Sequence, residues 1–567
     1  VRRLWLFALA LAAPAQAASP PPVAAEHGMV ACAQHLACEV GVEAMKAGGN
    51  AVDAAVAVGY ALAVTYPAAG NLGGGGFMTI VFADGRKTFI DFREKAPLKA
   101  ARDMYLDKNG EVVKGLSTQG YLAIATPGTV GGLEYARERY GTRPRAALID
   151  PAIQLARDGF TLDAGDILPL AASTATLRKY PSSTAIFLKD GQTPAIGDRL
   201  VQSDLARTLT AIRDQGAAGF YQGEVGAAIV SAVQKGGGIL SAEDMARIKP
   251  REIAPIACNY RGYTVVSAPP PSSGGVTLCE TLNILEGYPL KDWGFGSAQA
   301  LHAEIETMRH AYVDRNNLLE DPDFGPNPVE TLISKDYAAK IRAAIDPGHA
   351  AKSADLAPGK PPHDGTNTTH YSIVDSQGNA VAVTYTLNDW FGAGMVAEGT
   401  GVVLNDEMDD FTTKVGAPNM FGLVQGAKNG IEPGKTPLSS MTPTVVVKDG
   451  KPLLVLGTPG GSRIITVVMQ TILDVIDYGM TISEAVDAPR IHNQWLPDVT
   501  FAEPFALSPD TRKILEGMGH HFGPPQPANH VDAILVGAPA LGAKPVGANR
   551  LYGANDQRRG SGEAVGY

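Results

Sequence analysis

The chain has 567 residues, 45% of them hydrophobic and 19% charged, which is the composition of a folded globular protein rather than of a disordered one. At about 150 residues per domain the length allows at most three to four domain-sized masses, and no internal repeat is visible. With 48 basic against 58 acidic residues the net charge is −10, and no Lys/Arg-rich block exists to track a phosphate backbone, so nucleic acid is excluded as an expected partner.

The first seventeen residues read as a signal peptide: Arg2 and Arg3, an apolar run from Leu4 to Ala13, then Ala15-Gln16-Ala17. The mature chain is expected to begin at Ala18 in the periplasm or outside the cell. The apolar run falls well short of the roughly 20 residues that cross a bilayer, so no stable membrane span is expected once it is removed. Four cysteines, Cys32, Cys38, Cys258 and Cys279, allow three complete pairings. Inside one helix Cys32 and Cys38 would sit about 9 Å apart, too far to bridge, so their pairing requires Cys32 to precede the helix. Buried free thiols are the alternative.

Residues 39–46 and 51–64 read as two helices separated by a glycine break, the second apolar enough for a buried core. The glycines from Gly73 to Gly76 follow a helix and precede a strand. That is the reverse of dinucleotide-binding order, and no Gly-Lys-Ser/Thr follows to make a phosphate loop. Ser272 or Ser273 is placed to cap a helix that runs to Leu285, and helical patterns recur over 298–317 and 332–345. Residues 347–367 then lose every apolar period, a length usually reserved for linkers or for function. They end at Thr368, where β-branched and aromatic residues, a turn at 375–379 and a second such run predict a hairpin. No His-Glu-x-x-His is present, and His520-His521 has no ligand partner at metal spacing. The two are expected at the surface, with no metal and no cofactor.

Seven segments occur in the order found in γ-glutamyltranspeptidases: Asn71-Leu-Gly-Gly-Gly-Gly-Phe77, Asp91-Phe-Arg-Glu-Lys-Ala-Pro97, Pro269-Pro-Pro-Ser-Ser-Gly-Gly275, Thr368-Thr-His-Tyr-Ser372, Asn405-Asp-Glu-Met-Asp-Asp-Phe411, Pro437-Leu-Ser-Ser-Met441 and Gly457-Thr-Pro-Gly-Gly-Ser-Arg463. From about Gly28 to Tyr567 the sequence resembles the bacterial members of that family. The resemblance implies an α+β, N-terminal-nucleophile hydrolase fold, an αββα four-layer sandwich. It also implies self-cleavage between Asn367 and Thr368 into a large fragment, 18–367, and a small one, 368–567, that stay together as a heterodimer. Thr368 would be the nucleophile, Thr386 its hydrogen-bond partner, and Gly460 and Gly461 the oxyanion donors. Arg93, Ser439 and Ser440 would hold the α-carboxylate of a γ-glutamyl group; Asn388, Glu407 and Asp410 would hold its α-ammonium. Glutathione and other γ-glutamyl compounds are the implied donors, and amino acids, peptides or water the acceptors.

Elementary chemistry supports such a cut. A threonine hydroxyl is a poor nucleophile without a base, and a freed α-amine, with a pKa of about 8, supplies one in the same residue. That argument does not choose Thr368 over Thr369; the resemblance does. Residues 415–426 resemble the family's lid, with Phe421 where many bacterial members carry tyrosine, so a phenolic bond to Asn388 is lost and ring packing must close the site instead. Two rivals remain. One is a related acylase for glutaryl side chains, against which Asp410, Glu407 and the lid argue. The other is a non-catalytic binding protein of the same fold, which has no reason to keep Thr368, Arg93 and the glycine pair.

Overall fold

The computed structural model describes residues 19–356, 368–526, 529–558 and 560–567. The expected signal peptide, 1–17, and Asn367 lie outside the described residues. The hairpin expected after Thr368 forms as strands Thr369–Val374 and Ala380–Thr386, paired antiparallel with Thr369 opposite Tyr385. It sits in the middle of a seven-stranded sheet. Met29–Cys32 and then Glu563–Gly566 flank it on one side. Gly75–Val81, Lys87–Asp91 and Arg251–Ile253 flank it on the other.

Side chains alternate across this sheet as the two-residue period of a strand demands. Tyr371, Ile373, Val381, Val383 and Tyr385 pack outward against the buried helix Ala51–Thr65 and its neighbours. Val374, Ala380 and Ala382 face the other way, toward a second seven-stranded sheet whose order runs Val23–Ala25, Leu551–Asn555, Asp532–Val536, Lys451–Gly457, Thr444–Lys448, Tyr263–Ser267, Ile256–Tyr260. Val266, Val445, Val455 and Ile534 meet them there. The outer face of the second sheet is covered by helices Gly274–Leu285, Ala298–Leu318 and Arg463–Ile476. The result is helices, sheet, sheet, helices. The separate domain-sized masses allowed by chain length are not what forms: the two sheets share one interior, so their strands cannot be divided into independent units.

Cys32 ends a strand and Cys38 lies in the following helix, His35–Lys46, so the condition for bridging is met and the two form a disulfide with Cα atoms 5.8 Å apart. Cys258 and Cys279 form the other, tying an edge strand to helix Gly274–Leu285. His520 departs from its expected surface position. It is buried, with Nε2 2.8 Å from His302 Nδ1, because the chain after helix Pro509–Gly517 turns back onto helix Ala298–Leu318. Among the described residues no group of His, Cys, Asp and Glu is arranged to hold a metal, and no helix is long and apolar enough to cross a membrane.

Small side chains let the sheets approach, and Ala382 is the test case, fully buried opposite Ser372 and Thr79. Ala382→Leu should overpack this interior and cost about 1–3 kcal/mol of stability, read as a lowered urea midpoint. An unchanged midpoint would mean that the sheets are not held at the spacing described.

Candidate active site

Thr368 stands immediately before the central strand. Its Oγ1 lies 3.2 Å from Thr386 Oγ1, which also accepts the Asn388 N–H at 2.9 Å. Beneath this pair the His370 ring is wedged between the sheets. Ser372 Oγ donates to the Asp532 carbonyl at 3.0 Å, so it must accept from His370 Nε2–H, leaving Nδ1 to accept from Thr384 Oγ1 at 2.8 Å. Burial pulls this imidazole down to about 3, so the ring is a neutral brace joining both hairpin strands to the second sheet.

A narrow cleft opens above Thr368. Its walls are Thr386, Arg93, Asn388, Glu407, Asp410, Phe421, Ser439, Ser440 and Gly461, together with Leu423, Met441 and Ile464. Every predicted site residue among the described ones therefore lines it except Gly460, one position behind Gly461. The glycines are required by space and backbone. Gly460 has φ 125°, and a Cβ there would fall 1.8 Å from Asn529 Nδ2. Gly461 has φ 55°, and a Cβ there would lie 2.3 Å from the Phe421 ring.

Arg93 follows strand Lys87–Asp91, and Asp91 accepts its N–H at 3.0 Å while pairing with Arg251 through its other oxygen. The Arg93 guanidinium reaches Asp410 Oδ2 at 2.6 Å, pairs closely with Glu407, and lies 3.5 Å from Glu94. Three carboxyl groups thus surround one buried cation. Burial raises Glu94 to about 7 against the pull of Arg93, and drives Glu407 and Asp410 upward for the same reason. Burial by itself would lower Arg93, but Glu407, Glu94 and Asp410 outweigh it and hold the guanidinium more firmly protonated than usual.

A second arginine went unnoticed in the sequence. Arg315, on helix Ala298–Leu318, donates to Ser440 Oγ at 2.8 Å, Ser273 Oγ at 3.0 Å and Gln425 Oε1 at 3.1 Å, and burial lowers it to about 10. Residues 415–426, which resemble a lid in sequence, pack over the cleft. Met420 N–H donates to Asp409 at 2.8 Å, Asn419 Nδ2 to Asp410 at 3.2 Å, and the Phe421 ring rests on Gly461. Asn388 gives its amide to the Asp406 carbonyl at 3.1 Å and to Met420 Sδ at 3.3 Å, so it is occupied without a phenol.

Two facing antiparallel sheets between helical layers, with a buried hydroxyl pair at the head of a central strand, give the chain the fold of the N-terminal-nucleophile hydrolases. Within that class it belongs to the γ-glutamyltranspeptidase family, whose model it matches over residues 37–566. A glutathione hydrolase proenzyme of Pseudomonas sp. (strain A14) is 64% identical over 552 residues, 97% of this chain and 96% of that protein. A cephalosporin acylase from Bacillus halodurans superposes with a TM-score of 0.84 at 26% identity, covering 100% of this chain and 99% of the other. A Helicobacter pylori γ-glutamyltranspeptidase chain gives 0.57 at 43% identity, covering 61% of this chain and 97% of its own.

The crowding of carboxyls about Arg93 has a pH signature. Without the cation, Glu94 and Asp410 would be pushed further above their unfolded values. Stability tied to such groups is intact below about pH 4 and is lost as pH climbs through the folded pKa. Arg93→Ala should therefore cost little near pH 4 and about 3–5 kcal/mol by pH 8, measured by urea unfolding at both. A loss equal at the two pH values would contradict the charge arrangement.

Proposed function

We propose that the protein is a γ-glutamyltransferase and glutathione hydrolase that matures by cutting itself between Asn367 and Thr368. The observation that carries this is the placing of the Thr368 hydroxyl, against Thr386, in a cleft whose far wall offers both a guanidinium and carboxylates. A γ-glutamyl group ends in an α-carboxylate and an α-ammonium. Such a head replaces the internal pairing of Arg93 with Asp410 and Glu407 by external pairing: its carboxylate takes Arg93 with the Ser439 and Ser440 hydroxyls, and its ammonium takes Asp410, Glu407 and Asn388.

The reaction then follows from atoms already present. The freed α-amine of Thr368 accepts the hydroxyl proton as Oγ1 attacks the γ-carbonyl. The oxyanion meets the N–H groups of Gly460 and Gly461, which donate to no other group among the described residues. The amine of the donor leaves with the proton, and water or an acceptor amine resolves the γ-glutamyl ester. In maturation the same hydroxyl attacks the carbonyl of residue 367, the amide bond to Thr368 breaks to free its amine and leave an ester, and water then hydrolyses that ester, releasing the residue 367 carboxylate and restoring the hydroxyl.

The size of the Helicobacter chain, matched over nearly all of its length yet spanning 61% of this one, is that of a large fragment, and the Pseudomonas relative is named a proenzyme. Fragments 18–367 and 368–567 would remain together because each sheet pairs strands from both. Two disulfides fit an oxidising compartment, periplasmic or secreted. The acylase reading rests on the superposition with the Bacillus halodurans enzyme and requires a pocket that tolerates a missing ammonium.

Purified precursor should yield two fragments without added protease, the smaller beginning with threonine, by denaturing gel and fragment mass. Thr368→Ala should stay a single chain and be inactive; cleavage of that variant at the same bond would sink the assignment. The acylase is separated by substrate. A glutaryl amide leaves Asp410 and Glu407 unpaired, at a cost of about 3–5 kcal/mol or two to four powers of ten. γ-Glutamyl-p-nitroanilide should be preferred over glutaryl-p-nitroanilide by that factor, and the reverse preference would establish the acylase.

A further inference from the structure

The lid and the glycine turn are joined by one buried side chain that the chemistry above does not use. Gln494 is 1% exposed. Its Oε1 accepts from Ser462 Oγ at 2.5 Å and lies 2.9 Å from His492 Nε2, while its Nε2 donates to the Phe421 carbonyl at 3.1 Å and to the Leu496 carbonyl at 3.2 Å. Two carbonyl acceptors fix which end of the amide is nitrogen, and its oxygen accepts from the Ser462 hydroxyl and faces His492 Nε2.

Each partner belongs to a different part of the site. Phe421 is the lid residue whose ring lies on Gly461. Ser462 directly follows the Gly460-Gly461 pair, and its carbonyl accepts the Tyr312 hydroxyl, so the residue is held at both its backbone and its side chain. His492 is locked in turn: its Nδ1 meets Thr466 Oγ1 at 2.9 Å, the Tyr312 ring stands edge-on to it, and burial with the Arg463 charge keeps it neutral. The backbone beyond Gln494 is held in a conformation that a bulky residue rarely adopts, with φ 71° at Trp495, whose indole donates to the Ser353 carbonyl at 3.0 Å. That turn sends the glutamine toward the lid and the tryptophan away from it.

We propose that Gln494 is a positioning residue that couples closure of the lid to the shape of the oxyanion turn. With the lid shut, the Phe421 carbonyl completes the amide's partners and Ser462 is held, which fixes the direction of the Gly461 N–H. With the lid open, the amide loses that acceptor and its hold on the Ser462 side chain slackens, while the Tyr312 hydroxyl still grips the Ser462 carbonyl. The inference rests on the reading of Gly460 and Gly461 as oxyanion donors. It goes beyond that reading by making their geometry depend on a residue that touches no substrate.

The test is a double-mutant cycle on the self-cleaved enzyme, reading the acylation rate constant from the burst of p-nitroaniline released by γ-glutamyl-p-nitroanilide. Gln494→Met keeps the volume and removes the hydrogen bonds. It should slow acylation about tenfold while donor KM stays within about twofold. Ser462→Ala should slow it equally, and the double variant should be no slower than either. Wild-type acylation in Gln494→Met, multiplied losses in the double variant, or a loss of thermal stability alone would each overturn the coupling. Should Gln494→Met fail to mature, Ser462→Ala keeps the question open to test: Phe421→Gly must slow acylation in the wild-type background and not in Ser462→Ala, and equal slowing in both overturns the proposal. A wild-type enzyme that releases no p-nitroaniline from γ-glutamyl-p-nitroanilide would instead defeat the functional reading itself.

Discussion

Arg93 is a full positive charge in an interior where an unpaired one costs several kcal/mol, about 3–5 by the usual measure of a broken buried pair. The groups that answer it come from distant parts of the chain: Glu94 beside it, and Glu407 and Asp410 more than 300 residues on. That pairing places the loop after strand Lys87–Asp91 against the turn Glu407–Asp410, and so sets one wall of the cleft before any ligand arrives. It also leaves the wall with more carboxyls than cations, and burial there pushes Glu94 up to about 7 against the pull of Arg93. A wall built this way is stable because the charge of its cation is paired. It remains receptive because a zwitterionic head offers the same charges in better number.

The same logic of distant partners governs the sheets. In the first, strands from residues 29–32 and 75–81 enclose the hairpin 369–386; in the second, strands 444–457 and 532–555 lie between 23–25 and 263–267. Both disulfides close loops upstream of Thr368. A break before that residue would therefore sever no cross-link and expose no complete sheet edge. What would hold the halves is the ladder of backbone hydrogen bonds on both sides of the hairpin, together with the small-residue interior between the sheets.

This interleaving also explains what the sequence could and could not disclose. The hairpin was legible because its period is local, and the site residues because their motifs resemble those of a known family. Strand order was not, since neighbours in each sheet lie up to hundreds of residues apart. Arg315, Glu94 and Gln494 were missed for a related reason. Arg315 sits inside a run whose period says only helix, and nothing local marks a buried arginine whose partners are Ser273, Gln425 and Ser440. Gln494 is one polar residue in an irregular stretch, and its importance lies wholly in the four groups it meets. His520 failed in the other direction: a pair of histidines read as surface, and the fold buried one of them against His302.

In the segment that resembles a lid, Phe421 shows how a missing hydroxyl alters the way such a segment can pack. A phenol would have spent its bond on Asn388, but here Asn388 is already engaged with the Asp406 carbonyl and Met420. The phenylalanine ring instead occupies the space where Gly461 lacks a side chain. Closure then rests on two different forces. Ring contact with the glycine is apolar and non-directional, so it favours shutting without fixing orientation. Direction comes from the backbone around it: the Met420 N–H on Asp409 and the Phe421 carbonyl on Gln494. Dividing the task in this way puts the aromatic ring on the glycine turn itself, so the ring that packs over the cleft also limits how far Gly461 can move.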